Sequence, residues 1–160
     1  MYYFLLKGKM TETDMFGKSL FLCISLLIAE SSFAVGGGDI GAVIEINGVV
    51  VGGGLVYVSV YSNENDYKSE TSSIKFILEP ADSKITHHLK LPEGEYAVSV
   101  FQDSNNDEKL NTNIIGTPIE PIGKTNYNLK GAPGGFNVLK TPVNGSSTKL
   151  IVNMGTVRAF

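Results

Sequence analysis

Leu91-Pro92-Glu93-Gly94-Glu95-Tyr96-Ala97-Val98-Ser99-Val100-Phe101 is the stretch on which the fold assignment rests. Pro92 fixes φ at the second position of a type I turn and Gly94 suits its fourth, so the chain reverses here and feeds a strand. From Tyr96 the large apolar side chains then fall on alternate residues, Tyr96, Val98 and Val100. That period gives a strand one face in a core.

Outward from this strand the same alternation recurs, broken by clusters of Gly, Asn, Pro and Ser. It predicts strands over 40–46, 55–61, 74–78, 85–91, 95–101, 135–139 and 148–154. No amphipathic helix of ordinary length stands between them. The expected fold is all-β, a seven-stranded antiparallel β-sandwich of two sheets. Its expected core is Ala42, Ile44 and Ile46; Val56, Val58 and Val60; Ile74, Phe76 and Leu78; Tyr96, Val98 and Val100; Leu150, Val152 and Met154. Gly52-Gly53-Gly54 and Asn47-Gly48 mark turns that need positive φ.

The 160 residues, 42% hydrophobic, suffice for one well-packed domain. Thirteen Lys and Arg against sixteen Asp and Glu give a net charge of −3, without the basic stripe that phosphate neutralisation requires. Nucleic acid and anionic membrane surfaces are therefore not expected partners.

At the other end, residues 15–34 read MFGKSLFLCISLLIAESSFA: a basic Lys18, an apolar run from Leu20 to Ala29, and small Ser32 and Ala34 before a cut. This is the pattern of a cleaved signal helix, too short to span about 30 Å of hydrocarbon. A leader this compact points to Met15, or Met10, as the true start. The expected organisation is a leader over 1–34 and a single β-sandwich domain over 35–160. The expected location is exported, periplasmic or secreted, with no stable membrane anchor after signal cleavage. Cys23 is the only cysteine and lies in the leader, preceded by Phe21 and Leu22 in place of the small residues of a lipid-attachment site. The mature domain then has neither a disulfide nor a thiolate metal site.

Between Gln102 and Gly135 the alternation fails for a span far longer than the usual connection of about four to six residues. Ile114, Ile115, Ile119, Ile122, Tyr127 and Leu129 offer it anchors that a solvated linker lacks. We therefore expect an ordered, functional loop.

The run LPEGEYAVSVFQDSNNDEKLNTNIIGTPIEPIG, followed by TNYNLKGAPGGFN, resembles the signature half of a bacterial exported family, domain of unknown function 2141. The order of elements carries the resemblance: the Leu-Pro-x-Gly-x-Tyr-Ala turn and strand, an Asp/Asn-rich loop, Gly-x-Pro-x-Glu at Gly116 to Glu120, then Pro133 and Phe136. It implies an N-terminal leader and a transthyretin-like or immunoglobulin-like sandwich, and it implies no agreed activity. The family's usual His before the first loop Asp is Gln102 here. Its Gly-Asn-Gly-Lys-Leu-Asp run is Asn106-Asp107-Glu108-Lys109-Leu110-Asn111. No imidazole role carries over.

Within the loop, Asp103, Asn105, Asp107 and Asn111 place side-chain oxygens at positions 1, 3, 5 and 9 of an EF-hand-like turn, with the Lys109 carbonyl at position 7. Calcium, which takes six to eight oxygens, suits such a set. Glu108 and Ile114 stand where an EF-hand has its glycine and its bidentate Glu, so the expected sixth ligand is Glu120, returned by the Gly116-Thr117-Pro118 turn. The same residues equally suit Asx-turns without any ion, and the spacing leaves both open.

His87 and His88 are adjacent on one predicted strand, point to opposite faces and cannot share a metal from it. No Ser or Thr is singled out beside either as a nucleophile. Gly36, Gly38 and Gly41 spell GxGxxG but open a strand, which excludes the dinucleotide reading. Tyr57, Tyr61, Tyr67 and Tyr127 offer a surface for a glycan or peptide. The expected function is an exported non-catalytic module that binds or scaffolds a protein, peptide or glycan, with calcium as stabiliser. Its rivals are a small periplasmic hydrolase and a strand-exchange assembly module.

Overall fold

The computed structural model describes residues 39–145 and 148–157. The leader and signal helix expected at 1–34 lie outside the described residues. Eight strands and two short helices follow one another: β1 Ile40–Asn47, β2 Leu55–Tyr61, α1 Glu64–Lys68, β3 Ile74–Leu78, β4 Lys84–Leu91, β5 Gly94–Asp103, β6 Ile122–Lys124, α2 Phe136–Leu139, β7 Thr141–Val143 and β8 Thr148–Asn153. They form two sheets, one of order β4-β1-β8 and one of order β3-β2-β5-β6 with β7 paired to the start of β5.

All fifteen expected core residues lie in one apolar cluster shared by the two sheets, twelve of them buried and Ile74, Phe76 and Leu78 packed against it from the β3 edge. Strand alternation does this directly, since every second residue of β1, β2, β5 and β8 faces the other sheet. Fully burying one Val, Leu or Ile is worth about 1.5–3 kcal/mol, so this cluster is the main source of stability. At its end Tyr96 donates from its hydroxyl to the Pro92 carbonyl at 2.9 Å. The Pro92-Glu93 link, which carries the chain from β4 in one sheet to β5 in the other, is thereby tied to the strand it feeds.

Three expectations are corrected. Residues 135–139 form no strand: Phe136 and Leu139 are buried while Val138 is 62% exposed, the i, i+3 spacing of the helical turn α2. Four residues are too few to separate a period of 2 from one of 3.6. Two strands of three residues each, β6 and β7, bring the count among the described residues to eight in place of seven. Finally, the sheets are not wholly antiparallel, because β8 runs parallel to β1 with Ile44 opposite Leu150. Alternation is blind to strand direction, and this pair needs the long crossover that the rest of the domain supplies.

The outward face of the second sheet is covered as well. Tyr61, Ala97, Ile122, Tyr127, Phe136 and Leu139 form a second buried cluster, joined by Tyr67, Phe101, Leu129 and Val157. The irregular chain after β5 thus acts as a third layer over β2 and β5. Gly123 permits β6 to approach β8, since a Cβ there would sit 2.6 Å from a Val152 methyl and 2.8 Å from the Asn153 carbonyl.

Candidate functional site

The long loop between β5 and β6 is ordered by its own polar groups. Asp103, buried at the end of β5, accepts from the Glu108 amide at 2.8 Å and the Asp107 amide at 3.3 Å. Asp107 accepts from the Lys109 amide and from the side-chain amides of Asn105 and Asn111, the last at 3.0 Å. The Asn111 contact leads the effects that hold the Asp107 carboxyl below its ordinary pKa. Glu108, which stands where an EF-hand has glycine, takes φ of 63°, so the tight turn is made in the left-handed region at a cost.

Beyond Asn111 the chain makes a small hairpin. Asn113 accepts through its side-chain oxygen from the Ile115 and Thr117 amides, and Gly116 turns at φ of 79°. This returns Glu120, which is buried and accepts from Ser104 N at 2.8 Å and Asn111 N at 2.9 Å. The Gly116-Thr117-Pro118 turn therefore does bring Glu120 back to the base of the loop. There it ties the start of the loop to its middle.

Of the six expected metal ligands, Asp103, Asn105, Asp107, Asn111 and Glu120 belong to this one network, and Lys109 enters it through its amide. The oxygens of all three carboxylates accept N–H groups. Among the described residues no group of three His, Cys, Asp or Glu side chains converges as a metal centre would require.

The alternative chemistries are placed as follows. His87 stacks on Phe76 at 4.2 Å between the sheet edges, and His88 borders a shallow surface dip with Val43, Leu89 and Lys90. Among the described residues neither histidine makes a side-chain hydrogen bond to a hydroxyl. The four tyrosines do not form a common platform: Tyr61 and Tyr127 are buried, Tyr57 stacks on Phe101 and Tyr67 meets Tyr61 edge-on. Gln102, where the resembled family has His, is fully buried. Its side chain accepts from Val50 N and donates to the carbonyls of Val50 and Gly54, pinning the loop between β1 and β2.

What sequence reasoning missed is a cleft of about 660 Å³ on the outward side, between the loop, β6 and the segment after it. Leu110, Ile115, Pro118, Ile122, Tyr127, Pro133 and Val157 give it an apolar lining, with Lys124 among them. The expected loop anchors divide here. Ile122 and Tyr127 are buried and Leu129 is half-buried, but Ile114, Ile115 and Ile119 are 104%, 76% and 61% exposed. An unbroken apolar pair flanked by Asn and Gly, Ile114-Ile115, was the signal available.

Fold and site together define a two-sheet β domain carrying one polar-braced loop that walls an apolar cleft. The chain belongs to the family described as an uncharacterized protein conserved in bacteria (DUF2141), whose model matches residues 44–150, more than half its length. The resemblance read from the turn, loop and Gly-x-Pro-x-Glu motif is thus borne out. No curated protein and no solved structure matches the chain.

Proposed function

We propose that the domain is an exported, non-catalytic binding module built as a transthyretin-like or immunoglobulin-like sandwich, with the loop from Asp103 to Glu120 and its cleft as the working surface. The single observation that carries this reading is the cleft: an apolar concavity of ligand-binding size whose wall is held in shape by buried carboxylates. The shared core of the two sheets and the Tyr96-to-Pro92 hydrogen bond support the sandwich assignment. The leader pattern at 15–34 supports export.

The hydrogen bonds within the loop support the Asx-turn reading over the calcium one. Melting in excess calcium and in chelator checks this, with equal midpoints expected; a rise in calcium of several degrees restores the ion as stabiliser. The binding role is tested by amide chemical-shift mapping against peptide, glycan and small apolar probes. Shifts confined to Leu110–Pro118, Lys124 and Tyr127 are expected. Shifts centred on the β4 edge would overturn the assignment of the surface. Export is checked by cell fractionation and N-terminal sequencing, with mature protein expected to start at Val35.

A further inference from the structure

We infer that the cleft beside the loop binds a small apolar molecule bearing a single carboxylate, with the Lys124 amine as its counter-charge. The inference rests on the reading of the cleft as a binding surface and adds to it the class of ligand.

The lining contains one charge. Apart from Lys124 its polar members are Thr112, Thr117 and Tyr127, and no Asp or Glu is among them. Tyr127 donates to the Gly131 carbonyl, whereas the hydroxyls of Thr112 and Thr117 make no side-chain hydrogen bond among the described residues. Lys124 shares a face of β6 with Ile122, two residues apart, and both line the cleft. Its amine donates to the Tyr67 hydroxyl at 3.0 Å and lies 4.9 Å from that ring's centroid.

Those contacts hold the amine in place without neutralising it. Among the described residues Lys124 forms no ion pair; the pairs are made by Lys68, Lys84, Lys140 and Lys149. Burial pushes its pKa down, opposed by the charge of Glu70. A half-buried ammonium that has lost water and gained no anion is a costly arrangement, relieved when a ligand brings the opposite charge. A lysine offers three donors and a point charge, which suits one carboxylate; a phosphate group is usually met by several cations or a run of amides. The apolar walls, the exposed Ile115 among them, then take the remainder of the molecule.

Calorimetric titration of the full chain with decanoate, decan-1-ol and decyltrimethylammonium, all below micelle-forming concentrations, tests this. Decanoate is expected to bind at least tenfold more tightly than decan-1-ol, and the cation more weakly than either. Lys124→Met should bring decanoate down to the level of decan-1-ol while leaving decan-1-ol unchanged, and Lys124→Arg should retain most of the preference. Ile115→Gln, which adds no charge at an exposed position, should weaken decanoate and decan-1-ol alike, and unchanged decan-1-ol binding by Lys124→Met shows that variant to be folded. Equal binding of decanoate and decan-1-ol, or no effect of Lys124→Met, overturns the carboxylate assignment and leaves the cleft as a binding surface. Failure of all three probes to bind overturns both.

Discussion

The two faces of the β2–β5 pair are buried by different means. Inward, Val56, Val58, Val60, Val98 and Val100 meet the side chains of β1 and β8, aliphatic against aliphatic, and the one buried polar side chain on that face of β5, Gln102, sits at its end against the β1–β2 loop. Outward, Tyr57, Tyr61, Ala97 and Phe101 meet a non-repetitive chain, whose backbone must satisfy its own hydrogen bonds while it packs. Thr125 shows how: buried, it receives the Val98 N–H on its hydroxyl oxygen at 3.1 Å and donates to the Leu139 carbonyl at 2.7 Å, joining sheet, loop and α2. A face covered by a sheet needs its polar fastener only at the rim, where Gln102 meets a loop. One covered by a loop needs polar fasteners within its apolar cover, and between the fasteners it leaves room for a cleft.

This contrast can be broken at several points. The largest effect is expected in the dry core, where Ile44→Ala, at a fully buried position, should cost about 3–5 kcal/mol in urea denaturation. On the outward face Ile122→Ala should cost less, about 2–3 kcal/mol, because the adjoining cleft lets the site relax or take up water. Equal costs would mean that the loop layer is as rigid as the sheet it covers. Gln102→Leu keeps the volume but strips partners from Val50 and Gly54, and a loss of about 2 kcal/mol is expected in the same assay.

Smaller changes separate the loop from the sheets. Glu120→Gln leaves one of the Ser104 and Asn111 amides facing an NH₂, which should lower stability by about 1 kcal/mol. Amide exchange should then speed up at Asn111 while β1 and β8 stay protected. Uniform loss of protection would show that loop and core unfold as one. Glu108→Gly removes the strain of φ at 63° and should raise the melting midpoint slightly, by less than about 1 kcal/mol of stability, since the freer unfolded chain offsets part of the gain.

The same contrast explains what could be read from residues alone. Period-two runs such as Ala42-Val43-Ile44-Glu45-Ile46 report a face buried by another regular element, and every core residue named from them is in the core. The outward layer has no such period. Tyr61 and Ala97 are paired across the strands and buried, yet they sit at positions that alternation assigns to solvent. In the loop, the Asp and Asn positions identified the braced segment and the return of Glu120. Their spacing left ion and amide equivalent, because both satisfy the same oxygens. Lys124 was illegible for another reason: a lone lysine in a Gly-Lys-Thr stretch carries no sign of the apolar walls that residues 110–118, 131–133 and 157 bring around it.

The parallel pairing of β1 with β8 also sets the order of events during folding. β1 takes as its neighbour a strand that follows every other element described, so the three-stranded sheet lacks a member until about residue 153 has emerged. Closing so long a chain segment carries a high entropic toll, and topologies dominated by such distant pairings fold slowly. A chain that has emerged only as far as β7 therefore leaves unpaired the edge of β1 that β8 will take.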